Sequence, residues 1–276
     1  EAELSTRKAI ELNPDFAEAH SNLGGILIDL GNLKDAEVSI RKAIELNHDC
    51  ANTYFNLSLI ELQKGNYQSG LEHYEFRFKK QKPTIPHINT PIKRVRNEKL
   101  RKGEKLMVVS EQGLGDTLQF MRYIPYLREL GLDVCFCPQS KLHSLIKSSK
   151  IDPNPLTQDQ ANIVSEGKWI PLLSLPRYLK VSPKNPIISE PYISSTNELN
   201  QKWKNILSKE KSPIIGINWQ GNPKTEKNYQ KGRSLPLETF SSLARENNFK
   251  FLSLQKGFGS EQLDDCSFKN KFVECQ

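Results

Sequence analysis

The sequence predicts an α+α/β chain: a helical solenoid first, then strands alternating with helices around parallel sheets. Three observations predict it. Residues 1–80 match themselves when shifted by 34 positions. A strand-like run, Lys105–Ser110, feeds a glycine loop and then a helical pattern. A second such succession starts at Pro213 and reaches Leu254. The expected divisions are repeats over 1–78, a basic linker over 79–104, a first α/β domain over 105–208 and a partial second one over 209–276.

In the repeat region Leu23 falls on Leu57, Asn22 on Asn56 and Gly31 on Gly65, while Lys8–Asn13 recurs at Lys42–Asn47. Small residues at Ala36 and Ala43 allow paired helices to approach, and the glycines supply the tight turns. Pro14 stops one helix before the next begins. The register gives the second helix of one repeat, a complete repeat over 17–50 and a diverged one over 51–78. A helical period of 34 residues is that of the tetratricopeptide repeat. Such repeats bind peptide segments in a concave groove, so a protein or peptide partner is expected. The architecture resembles the O-GlcNAc transferases, in which a ladder of asparagines binds substrate backbone. That resemblance puts Asn22 and Asn56 in the groove; the bland alternative is that Asn before Leu is common in this repeat.

The basic stretch Lys79–Lys105 concentrates most of the net charge of +7. Between two folded patterns it reads as a solvated linker, with an anionic ligand as the alternative. Aromatic interleaving and recognition motifs are lacking, so nucleic acid is not an expected partner. Hydrophobic residues are 37% and charged residues 26%, and runs such as Ile214–Trp219 are too short to span a bilayer. Five cysteines lack zinc or disulfide spacing; Cys135 and Cys137 share one strand face as buried thiols, which fits a reducing cytoplasm. Glu1 falls inside a helical pattern, and the second α/β domain holds few strands. Both suggest a piece of a longer protein, inactive by itself. His20, His48, His73, His87 and His143 are scattered and read as structural or solvated.

After the linker the period changes. Lys105–Ser110 reads as a buried strand, followed by Glu111-Gln112-Gly113-Leu114-Gly115-Asp116, a helix over Thr117–Leu130, a strand over Asp133–Cys137 and a helix over Lys141–Ser149. Sites in parallel sheets sit at the carboxyl ends of strands. Two glycines there allow close backbone approach, and Asp116 falls at or near the helix N-cap, which alone explains its type. The third glycine of a dinucleotide fingerprint would be Leu118, and no Gly-Lys-Ser/Thr follows.

Ser110–Leu127 resembles the first strand–loop–helix of the ADP-heptose:lipopolysaccharide heptosyltransferases and their repeat-fused relatives. The resemblance implies that Asp116 is the catalytic base, with Glu111 a second carboxylate beside Gln112, Gly113 and Gly115 in the acceptor-site loop. Further on, Pro213–Trp219, the loop to Gly232, a helix opening at Arg233-Ser234 and the strand Phe249–Leu254 resemble the start of the same family's donor-binding domain. That puts Asn222, Arg233, Ser234 and Lys256 at a diphosphate, with Lys224, Lys227 and Lys231 adding positive potential. The family's Rossmann-like GT-B architecture implies an inverting transfer with a nucleoside-diphosphate sugar as substrate, no cofactor and no metal. Heptosyltransferase likeness points to an ADP-linked donor, the repeats to a UDP-linked one. A protein-interaction scaffold that has lost catalysis is the alternative; a nicotinamide-dependent dehydrogenase fails on the missing glycine.

Overall fold

The computed structural model describes residues 1–187, 190–223, 234–246 and 248–274, in two compact units, Glu1–Ser194 and Ser195–Gln276.

The first unit opens with five helices: α1 (Ala2–Leu12), α2 (Ala17–Asp29), α3 (Leu33–Leu46), α4 (Ala51–Gln63) and α5 (Tyr67–Tyr74). The 34-residue period is visible as repeated hydrogen-bond geometry. Asn32 N–H donates to Leu27 O at 2.9 Å, and Asn66 N–H to Glu61 O at 2.8 Å. Between them Gly31 and Gly65 adopt φ of 78° and 81°, a left-handed turn that spares the helix carbonyls from being orphaned. Helix α2 packs on α3 through Gly24, where a Cβ would lie 2.4 Å from the Ile40 side chain. Leu23, Leu27, Ile40, Leu57 and Ile60 fill the core of the stack.

Helix α5 tightens into a 3-10 turn, Glu75–Phe78, and the chain then runs along a parallel sheet. Its strands are β1 (Lys93–Arg94), β2 (Lys105–Val109), β3 (Asp133–Cys137) and β4 (Lys168–Pro171), in the spatial order β1-β4-β2-β3. Alternation along β2 sends Leu106 and Val108 into one core, and Met107 and Val109 into another on the opposite face. Cys135 and Cys137 join the second, with Cys137 buried. Most cations of the basic stretch are exposed, whereas Ile92, Val95 and Leu100 are buried and Val95 N–H donates to Trp169 O at 2.8 Å. The segment is therefore tied to the sheet by its apolar residues and solvated through its charged ones.

The single helix expected over Thr117–Leu130 is two: α6 (Leu114–Phe120) and α7 (Tyr123–Glu129). Pro125 accounts for the break. It has no N–H to give the Met121 carbonyl and its ring crowds that group. Short helices α8 (His143–Ser148), α9 (Gln158–Asn162) and α10 (Leu175–Tyr178) complete the unit.

The second unit holds α11 (Asn197–Leu207), β5 (Ile214–Ile217), α12 (Ser241–Glu246) and β6 (Lys250–Ser253), with β5 and β6 parallel. Ile217, Trp219, Leu237, Ala244, Phe251 and Phe268 form its core. No helix among the described residues is long and apolar enough to cross a membrane.

Candidate functional site

The chain passes from β2 to β3 on one side and later returns to β4 on the other. The loop after β2 therefore lies between two crevices at the carboxyl end of the sheet, and their contents differ.

On the β4 side the crevice is sealed. Glu111 leaves β2 and turns inward, and its Oε1 accepts from Arg77 Nη2 at 2.8 Å and from Leu173 N–H at 3.2 Å. Arg77 is 0% exposed. It also donates to Ser174 Oγ and Glu75 Oε1, each at 2.8 Å, and Arg94 donates to the other oxygen of Glu75 at 2.7 Å. The Arg77 guanidinium lies 4.1 Å from the Phe78 ring centroid and 4.6 Å from that of Tyr74. Burial pushes the Glu111 carboxyl above its usual range, with Arg77 opposing the shift. Burial alone would lower Arg77, but Glu111 and Glu75 hold it above its ordinary value and so charged. Where an open α/β sheet commonly takes its ligand, this chain inserts its own arginine from the end of the repeats.

On the β3 side the crevice is open. It encloses about 410 Å³, lined in part by His87, Ser110, Cys137, Gln139, Thr157 and Asp159. Gln139 serves both the wall and the loop. Its Nε2 donates to Gln112 O at 2.6 Å, and its Oε1 accepts from Thr117 Oγ1 at 2.8 Å. Gln112 in turn donates to the Tyr74 hydroxyl at 3.0 Å, so the loop is latched from both sides.

Between the crevices Gly113 is the N-cap of α6, and Gly115 and Asp116 lie in its first turn. Asp116 Oδ2 accepts from Gly113 N–H at 3.0 Å, the backward half of a capping box whose forward half a glycine lacks the side chain to make. Among the described residues its Oδ1 has no hydrogen-bond partner. Gly113 has φ −70°, and Gly115 is not among the positive-φ glycines. A Cβ on Gly115 would meet nothing within 4 Å. Neither its backbone geometry nor packing among the described residues calls for glycine at 115.

Of the acceptor-loop residues expected from sequence, Gln112, Gly113, Gly115 and Asp116 thus lie together at the surface of one short segment, while Glu111 is buried and faces away into the ion cluster. In the repeats, Asn22 and Asn56 occupy successive first helices; Asn22 is exposed and Asn56 half-buried, 3.4 Å from where a Cβ on Gly25 would lie.

In the second unit, Ser234 Oγ accepts from Gly221 N–H at 3.0 Å, next to exposed Asn222. Gln255 stitches the two strand-end loops together. Its Oε1 accepts from Gln220 N–H at 2.9 Å and its Nε2 donates to Gln220 O at 3.0 Å. Asn222, Ser234 and exposed Lys256 therefore follow the carboxyl ends of β5 and β6. Arg233, with Lys224, Lys227 and Lys231, lies outside the described residues.

Sequence reasoning missed Arg77, Ser174 and Gln139. A signal for Arg77 existed: it stands inside the aromatic run Tyr74-Glu75-Phe76-Arg77-Phe78, where a cation needs partners. Gln139 had none, because its role depends on which strand neighbours β2.

Comparison with known proteins gives three likenesses. A family model for the tetratricopeptide repeat matches residues 17–50. Protein FlbA of Caulobacter vibrioides is 33% identical over 130 residues, covering 46% of this chain. The chain spans only 22% of the length of that relative. A solved structure of an O-GlcNAc transferase mutant from Thermobaculum terrenum is 16% identical, with a TM-score of 0.28, over 79% of this chain and 36% of that one.

Proposed function

We propose that this chain is the repeat-bearing, acceptor-side part of a glycosyltransferase of GT-B architecture, moving a sugar from a nucleoside diphosphate to a protein or glycan hydroxyl with inversion and without a metal. One observation carries the reading. Gly115 sits in the first turn of a helix, where glycine is a poorer helix former than alanine, and nothing among the described residues requires it. Bare backbone beside a carboxylate, at the carboxyl end of a central parallel strand, suits close approach by a polar ligand.

In this reading Asp116 Oδ1 takes the proton of the acceptor hydroxyl as that oxygen attacks the anomeric carbon. The bond from that carbon to the diphosphate breaks, and the nucleoside diphosphate leaves with the electron pair. Asn222, Arg233, Ser234 and Lys256 would receive the diphosphate charge, the repeats would hold a protein or peptide acceptor, and Gln139 keeps the loop in position. Glu111 is assigned no chemical role, because its bonded oxygen is committed to Arg77 and Leu173.

The second reading is a non-catalytic interaction scaffold. The Arg77 seal favours it, since it makes the repeats and the first sheet one block without any reacting group. Release of nucleoside diphosphate by the full-length protein from ADP-, UDP-, GDP- and dTDP-sugars separates the two. Release from one donor that Asp116→Ala abolishes supports transfer. Absence of both release and nucleotide binding supports the scaffold.

A further inference from the structure

The amino end of the same sheet carries a second cleft, of about 1080 Å³, entirely within the first unit. Six cations line it: Arg96, Lys99, Arg101 and Lys102 from the loop before β2, and Arg177 and Lys180 from α10 and its end. Glu72 is the sole carboxylate in that lining among the described residues. The loop that carries four of the cations is held in shape. Arg177 donates to Arg96 O and, at 2.8 Å, to Asn97 Oδ1, while Leu100 N–H donates to the Tyr178 hydroxyl at 3.1 Å. Leu100 is buried beneath it.

The loop's own acids bond its backbone rather than these cationic side chains. Glu98 Oε2 accepts from the N–H groups of Arg96 and Asn97, at 3.0 and 3.2 Å. Glu104 Oε2 accepts from Arg101 N–H at 2.5 Å, and both carboxylates approach Lys168. Among the described residues, Arg177 alone of the six pairs with an acid, Glu72 at 3.3 Å. Like charges gathered around one concavity repel each other and raise its potential. Local carboxylates that could relieve this are instead bonded to backbone.

We infer that this cleft binds a compact organic polyanion bearing two or more phosphates, of nucleotide size. Three features fit that chemistry. Guanidinium and ammonium groups together suit phosphate oxygens. A volume near the upper end of small-ligand pockets, roughly 300–1,000 Å³, exceeds what a single phosphate fills. Tyr126 and Tyr178 are among the lining residues, and aromatic side chains are surfaces on which a planar base can rest. Lys99, Arg101 and Lys102 precede β2, and Leu130 and Leu132 precede β3, whereas the glycine loop follows β2, so this lining lies at the opposite end of those strands and the inference does not depend on the transfer reading.

The test is calorimetric titration of the full chain with tripolyphosphate and with ADP, at low and at physiological ionic strength. Binding should weaken with salt and fall about tenfold or more in Lys99→Glu/Arg101→Glu, which should keep its thermal midpoint because both side chains are exposed. Arg101→Gln, the milder change, should weaken binding by a smaller factor, and Asp116→Ala should leave it unchanged. Absence of binding, or equal binding by both charge variants, would overturn the inference. So would loss on Asp116→Ala, or tighter binding of an oligoglutamate peptide, which would assign the cleft to an acidic protein segment.

Discussion

Two crevices flank the loop after β2, and they have opposite character. The one toward β4 is filled by Arg77 and its carboxylates, with side-chain exposures of 0% for both Arg77 and Glu111. The one toward β3 is an unfilled cavity of about 410 Å³ with Gln139 in its wall. The position where strand order reverses, the usual ligand site of such sheets, has here become an internal joint between helical repeats and sheet. The difference separates two carboxylates only five positions apart: Glu111 holds the architecture together, and Asp116 remains at a surface where chemistry is possible.

The largest effect should come from breaking the joint. Arg77→Met leaves Glu111 buried without its cation, which costs about 3–5 kcal/mol, measurable by denaturant unfolding. The deficit should depend on pH. Burial raises the folded Glu111 above its unfolded value, so stability from this group is present at low pH and lost as pH rises through the folded value. Without Arg77 that folded value rises further, and the deficit should narrow in acid. The double variant Arg77→Met/Glu111→Leu should regain much of the loss. A cost under about 1 kcal/mol for Arg77→Met would mean the sealed crevice behaves like an exposed pair.

Gln139→Ala tests the open side. It removes hydrogen bonds from Gln139 to Gln112 O and from Thr117 to Gln139, at about 0.5–1.5 kcal/mol each. Amide exchange across residues 111–117 should speed up while the repeats keep their protection; unchanged exchange would show that Gln139 does not latch the loop. A smaller stability change, about 1 kcal/mol, is expected for Asp116→Ala, which loses the bond to Gly113 N–H. The smallest perturbation is chemical. Burial pushes the Cys137 thiol up to about 11, so at pH 8 it stays protonated and should react with iodoacetamide much more slowly than Cys50. Comparable rates would mean that the open crevice reaches Cys137 far more deeply than its burial indicates.

These outcomes also bear on what the sequence could tell. The repeat was legible because many positions agree in one register, and Gly31 and Gly65 take the left-handed turns their spacing implied. Strand β3 occurs at its expected bounds, because alternating apolar residues and a closing proline mark it locally. The break at Met121 was hidden by reading helical periodicity past Pro125. Glu111 looked like a partner for Asp116 because both stand in one motif. A one-dimensional reading cannot see that β4 inserts beside β2 and brings Leu173 against that carboxylate and Ser174 against its partner Arg77. Long-range pairing is the information that periodicity lacks, and Arg77, 34 positions before its partner Glu111, depends on it wholly.

The most direct test of the account lies at Gly115. In the full-length protein, Gly115→Ala should keep or raise the thermal midpoint, by up to about 1 kcal/mol of added stability. Nucleoside-diphosphate release from the preferred sugar donor should fall about tenfold or more, as it should in Asp116→Ala. Wild-type release by Gly115→Ala at an unchanged or higher midpoint, or no release from any donor by the unmodified protein, would contradict the assignment of this loop as the transfer site.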